Sequence, residues 1–149
     1  MLAISTRVRY GLRALAFLAE QEEDRAVSLN LISEKESISR KYLENIFRLL
    51  KKGKIVRSVR GADGGYQLER APESISIYEI VKALEGPISP SRCLTDPFKC
   101  KNVDDCGTRD FWKEFQNYLE DFFRSKTLAQ LIGQIQKGDT DGKKICLYG

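Results

Sequence analysis

Apolar residues recur at helical spacing over residues 7–21: Val8, Leu12, Leu15 and Leu18, with Ala14, Ala16 and Ala19 filling in. The spacing predicts a first helix, followed by a polar break at EEDR. Ser28 is placed to cap a short helix ending near Glu36, with Leu29 and Ile32 inward. Ser39 is placed to cap RKYLENIFRLLKK, where Leu43, Ile46, Phe47 and Leu50 form an i, i+3, i+4, i+7 stripe. Gly53 is expected to end that helix as its C′ residue. Ile55, Val56 and Val59, then Tyr66 and Leu68, suit two short strands. GADGG between them offers the positive-φ residues of a hairpin. Pro72 breaks the chain. Ser76 and Glu79 read as a capping box for a helix carrying Ile77, Ile80, Val81 and Leu84 on one face. Gly86 and Pro87 stop it.

Residues 87–107 have no periodicity and read as one long loop. A long helix is expected over TRDFWKEFQNYLEDFFRSK. Its stripe is Trp112, Phe115, Leu119 and Phe122, flanked by Phe111, Tyr118 and Phe123. So wide an aromatic stripe exceeds what one helix end hides in a small domain. It predicts a dimerisation helix, with packing on the chain's own core as the alternative. Thr127 is placed to cap a last short helix, LAQLIGQIQ, and residues 137–149 read as a polar tail.

The order helix, helix–turn–helix, hairpin, helix is that of a winged helix-turn-helix domain. The expected fold is mostly α, with a two-stranded β wing and a long C-terminal dimerisation helix. The expected division is a winged helix-turn-helix DNA-binding domain over residues 1–86, a cysteine-bearing sensor loop over 87–107, the dimerisation and short terminal helices over 108–136, and a polar tail over 137–149.

Charge sharpens this picture. The net charge of the 149 residues is only +4, but residues 1–60 hold 13 Lys/Arg against 7 Asp/Glu. Within residues 40–60, Arg40, Lys41, Arg48, Lys51, Lys52, Lys54, Arg57 and Arg60 face one acid, Glu44. Such density is the footprint of a phosphate-backbone binder, or else a solvated basic face. With its apolar stripe committed to the core, helix 39–52 leaves Ser39, Arg40, Lys41, Tyr42, Glu44, Asn45 and Arg48 mostly on its other faces. Arg and Lys can pair with guanine, Asn with adenine, and Glu can accept from cytosine. Base reading is therefore expected from Arg40, Lys41, Tyr42, Glu44 and Asn45, near the helix start. Arg48, Lys51 and Lys52 suit phosphates. Arg57 and Arg60 flank the wing tip, where an Arg can enter a narrow minor groove.

Chemistry is concentrated in CLTDPFKCKNVDDC, which holds Cys93, Cys100 and Cys106, three of the four cysteines; the chain has no histidine. Thiolates suit iron–sulfur clusters, zinc or copper(I). Structural zinc sites favour close C-x-x-C pairs, and none is present. Bare thiols acting as a redox switch, with Arg92, Lys99 and Lys101 near enough to lower a thiol pKa, form another alternative. No apolar run is long enough to span a membrane, and the first residues lack a signal peptide's apolar region. A cytoplasmic protein with no membrane partner is expected. An enzyme is not: there is no histidine base, and GADGG follows a strand without opening a helix. No small-molecule substrate is expected.

The stretch ISEKESISRKYLENIFRLLKKGKIVRSVRGADGGYQLER resembles the signature of a bacterial winged-helix regulator family that includes IscR, NsrR and RirA. The most specific part runs from Tyr42 to Leu68, and the likeness extends to about Leu131. SRC…C…CGTRDFW is similar to that family's cluster loop and dimer helix. The resemblance implies a homodimeric regulator of double-stranded DNA, with Arg60 as the minor-groove arginine. It implies an iron–sulfur cluster on Cys93, Cys100 and Cys106, with two or four irons left open. The first cysteine gap is six residues, where the family more often has five. IscR-like members place a histidine ligand where Arg109 stands, and NsrR-like members an aspartate whose nearest match is Arg9. Arginine offers only donors, so neither serves. Asp104, Asp105, Asp110 and Cys146 are the chain's other candidates for the fourth position.

Overall fold

The computed structural model describes residues 4–21, 25–96 and 105–140. Local capping starts each of the first three helices. Ser5 accepts the Val8 N–H at 3.2 Å and opens α1, Thr6–Ala19. Ser28 accepts the Leu31 N–H at 3.2 Å and opens α2, Leu29–Glu36. The turn that follows places Ser37 in the left-handed region, φ 53°, while the Ser33 hydroxyl donates to the Ile38 carbonyl at 2.6 Å. Ser39 then caps α3, Arg40–Lys52, through the Tyr42 N–H at 3.3 Å. Each such cap is worth about 1 kcal/mol.

The α3 stripe is the centre of the core. Leu43, Ile46, Phe47 and Leu50 are fully buried with Leu15, Ile32 and Ile80. Burial of each large side chain contributes roughly 1.5–3 kcal/mol. One expectation is corrected at the end of α3. Gly53 is not left-handed (φ −78°); Lys54 is, at φ 56°. The Lys54 N–H donates to the Lys51 carbonyl at 3.0 Å and the Ile55 N–H to the Leu50 carbonyl at 2.9 Å, a Schellman closure one residue later than expected.

The wing pairs β1, Val56–Val59, with β2, Gly65–Leu68, antiparallel, from Val56 opposite Leu68 to Val59 opposite Gly65. Val27 and Tyr66 exchange backbone hydrogen bonds at 2.9 Å, which ties the hairpin to the entry of α2. A Cβ at Gly65 would lie 2.3 Å from the Val27 carbonyl oxygen, so only glycine allows this approach.

A 3₁₀ turn, Pro72–Ser74, leads to α4, Ile77–Glu85, which opens on the expected Ser76–Glu79 capping box. Residues 87–107 are not wholly loop: a short helix α5, Arg92–Thr95, forms within them, too brief for a periodicity to register. Then come α6, Arg109–Ser125, and α7, Leu128–Thr140. Thr127 starts α7 reciprocally with Gln130, accepting its N–H at 3.3 Å and donating its own to the side-chain oxygen at 3.0 Å. The helix runs four residues past the expected end at 136, continuing through Gly138 even though glycine commonly ends a helix. The rest of the predicted tail, 141–149, lies outside the described residues.

The starts of α4 and α7 are joined by backbone. The Ile77 N–H donates to the Lys126 carbonyl at 2.8 Å and the Leu128 N–H to the Ile75 carbonyl at 2.9 Å. Leu128 is fully buried in the common core, so the start of α7 packs with α1 and α4. Among the described residues, no helix is long and apolar enough to cross a membrane.

Candidate nucleic-acid interface and cysteine segment

Because the apolar stripe of α3 is buried, its opposite face projects as a polar surface. Ser39, Arg40, Lys41, Glu44, Arg48, Lys51 and Lys52 are exposed, and Asn45 and Tyr42 half-buried. The guanidinium of Arg40 donates to Glu44 at 3.2 Å and to Asn30 of α2 at 3.0 Å. Exposed i, i+4 ion pairs are worth about 0.3–0.5 kcal/mol, so either partner turns to a base edge at little cost. Arg48 donates to the Asn45 side-chain oxygen at 2.8 Å. Lys51 donates to Ser58 of β1 at 2.6 Å, which brings the wing alongside the end of α3. Lys41 and Lys52 make no ion pair among the described residues, and Arg60 is exposed beyond β1.

Three of the candidate DNA-contacting residues sit differently from the rest. The Ser39 hydroxyl is occupied as the helix cap. The Tyr42 ring packs edge-on against Tyr10 of α1, with centroids 5.8 Å apart. Arg57 turns away from α3: adjacent strand residues point to opposite faces, and Ser58 takes the α3 side. Arg57 donates to Gln67 at 3.1 Å and lines a groove of about 460 Å³ with Leu18, Gln21 and Arg25. Asn30 was not legible as part of this surface. The helix preceding a reading helix carried the signal, since its first turn faces the start of the next.

Two thiols of the cysteine segment, Cys93 and Cys106, fall within the described residues. Cys93, within α5, is half-buried and shares a hydrogen bond with the Ser91 hydroxyl at 3.1 Å. Cys106, half-buried just before α6, shares one with the Thr108 hydroxyl at 3.5 Å. That hydroxyl and the Thr108 N–H hold the Cys106 thiol below its ordinary value of 9.0, with a smaller contribution from Arg109. The Arg109 N–H also donates to the Cys106 carbonyl at 3.1 Å. α5, which carries Cys93, packs against α6, the helix that Cys106 precedes. Cys100, Asp104 and Cys146 lie outside the described residues, while Asp105 and Asp110 are exposed. Among the described residues no three His, Cys, Asp or Glu side chains gather as a metal site. The donors that are described, soft thiols beside a hydroxyl, fit a cluster, zinc or a reactive thiol by their chemistry.

The aromatic stripe of α6 divides in two. Phe115 and Leu119, with Phe123, turn inward to a groove of about 340 Å³ shared with Ile4, Val8, Pro87 and Ile88. Phe111, Tyr118 and Phe122 point outward, 63%, 67% and 56% exposed, with Trp112 at 37%.

A basic helix–turn–helix with a wing is the geometry of a DNA-binding regulator, and the pattern of the Rrf2 family, described as "Iron-dependent Transcriptional regulator", matches residues 4–134. The chain belongs to the Rrf2 family. It is 32% identical to the HTH-type transcriptional regulator IscR of Escherichia coli over 141 residues, 95% of this chain and 86% of that one. Its fold matches CymR, the global cysteine regulator of B. subtilis, with TM-score 0.73 and 34% identity, over 90% of this chain and 98% of that chain. It matches T. potens IscR with TM-score 0.69 and 32% identity, over 89% and 88%. As an Rrf2 protein it is a DNA-binding transcription regulator and not an enzyme. The winged-helix expectation stands, and with it the family resemblance read from Tyr42 to Leu68.

Proposed function

We propose that this Rrf2 protein is a homodimer joined through the outward face of α6, and that two α3 helices and two wings grip a double-stranded operator. Base reading comes from Arg40, Lys41, Glu44 and Asn45, and phosphate contacts from Arg48, Lys51 and Lys52. Arg60 enters the minor groove. The observation that carries this reading is the exposed basic face of α3 with the wing tethered beside it by Lys51 and Ser58. In this reading the protein works in the cytoplasm.

An iron–sulfur cluster held by Cys93, Cys100 and Cys106 controls the grip. The likeness to IscR and the iron-dependent character of the family support it. Such a group supplies a soft, redox-active centre whose loss or conversion is the signal. The chain's own part is mechanical. Residues 87–107 connect α4 of the DNA-binding domain to α6, so ordering them sets the angle between the two reading helices. A second reading, a thiol switch without a cluster, is favoured by the lowered pKa of Cys106.

Protein purified without oxygen tests both. Visible absorption with matching iron and sulfide, lost in Cys100→Ala, supports the cluster. A colourless protein holding one zinc overturns it, and a colourless metal-free protein with a fast-reacting Cys106 supports the switch. Duplex binding that falls steeply with added salt is expected in every case.

A further inference from the structure

A nearly buried ion pair lies behind the reading helix rather than on it. The Arg13 and Glu36 side chains are 11% and 16% exposed. Arg13 Nε donates to Glu36 Oε2 at 3.1 Å, and Nη2 lies 3.0 Å from the same oxygen. Nη2 also donates to the Glu36 backbone carbonyl at 2.5 Å. One guanidinium on α1 therefore grips both the side chain and the backbone of the last residue of α2. Arg13 also faces the ring of Tyr10, 5.5 Å from its centre, and Tyr10 packs edge-on against Tyr42 in the first turn of α3. The contacts run Glu36, Arg13, Tyr10, Tyr42. Both ends of the chain fall on the helix–turn–helix, one on each side of its turn.

Stability alone does not account for this arrangement. Removing two charges from water costs several kcal/mol, and apolar replacements of similar shape are often neutral or stabilising. What a forked guanidinium adds is direction, because its donors are rigid and planar. Here the direction it fixes is the exit of α2, from which the turn at Ser37 and Ile38 delivers α3.

We propose that Arg13, acting through Glu36 and Tyr10, is a positioning residue for DNA specificity: it sets how α3 sits in the major groove without touching DNA. This rests on DNA reading by α3, but on neither the dimer nor the cluster. A base contact discriminates only when the side chain arrives at the right angle. Phosphate attraction tolerates tilt.

The test uses the full chain and a duplex pool with a randomised centre, from which the wild-type protein selects its operator. Failure of the wild type to select any motif would sink DNA reading itself, not this proposal. For Arg13→Met, affinity for the selected operator is expected to fall about tenfold, the size of one lost base contact. Affinity for random duplex and its salt slope should stay unchanged. Operator affinity that holds in the folded variant overturns the proposal. So does a parallel fall of both affinities with a reduced salt slope, which would make Arg13 a phosphate contact. Arg13→Lys keeps the charge but not the fork, and it decides the matter if the Met variant does not fold. It should lose operator preference as well, and full preference in the Lys variant overturns the proposal.

Discussion

The guanidinium of Arg124, near the end of α6, lies 3.5 Å from the centre of the Tyr78 ring on α4. Glu120, one turn earlier, accepts from the same guanidinium at 3.3 Å. The stack anchors α6 to the DNA-binding domain at the end opposite Cys106. A cation over a ring is worth about 0.5–1 kcal/mol at such a site. Tyr78→Leu should lower unfolding free energy by about 1 kcal/mol in a urea titration, and an unchanged midpoint would show the stack to be incidental.

The start of α4 carries a pH dependence. Burial works against ionisation of Glu79, but hydrogen bonds from the Ser76 N–H and hydroxyl, and the neighbouring Arg70, outweigh it. The carboxyl is held below its ordinary value of 4.5. A depressed folded pKa gives stability that is present above the unfolded value and lost as pH falls through the folded one. Acid should therefore weaken the fold progressively below pH 4.5. In Glu79→Gln that part of the slope should disappear from thermal melts taken across the acid range. Ser76→Ala should cost about 1 kcal/mol at neutral pH.

The helices other than α5, the wing and the Ser76–Glu79 box were legible because each is written in local spacing and capping chemistry. The position of α7 was not. Leu128 looks like any residue opening a terminal helix, and only the pairing of Thr127 with Ser76 drives it into the core. The direction of Arg57 could not be read from the sequence, because strand alternation assigns a face only once Ser58 is known to meet Lys51. The α6 stripe was legible as a stripe. Its division into an inward half and an outward half depends on the groove that Val8 and Ile88 form, far away in sequence. Tyr10 and Arg13 carried no motif at all, since their meaning lies in what α1 crosses.

The end of α3 offers a pair of substitutions that local reasoning would rank the other way. Gly53 has ordinary right-handed geometry, so replacing it by alanine looks harmless. A Cβ there would lie 2.6 Å from Ala83 Cβ on α4. Gly53→Ala should therefore destabilise by about 1–3 kcal/mol through forced separation of α3 and α4. Lys54 is the residue with φ 56°, and Lys54→Gly should stabilise by about 0.5–1 kcal/mol. Chemical denaturation of the two variants checks both signs. A stabilised Gly53→Ala would mean that α4 yields easily at Ala83.

The division of the α6 stripe separates folding from assembly. Tyr118 and Phe122 point outward, whereas Leu119 between them faces the groove against α1. If the outward face joins two copies, a carboxylate placed on it would be desolvated at the interface without a partner, which costs several kcal/mol. Tyr118→Asp and Phe122→Asp should sediment as folded monomers with a near wild-type melting temperature. Each should bind a single half-site at the affinity of one reading head. Leu119→Ala should show the opposite pattern, lowering stability while the surviving folded protein still pairs. A Tyr118→Asp protein that sediments as a dimer at micromolar concentration would rule out this face as the interface, leaving DNA reading by α3 untouched.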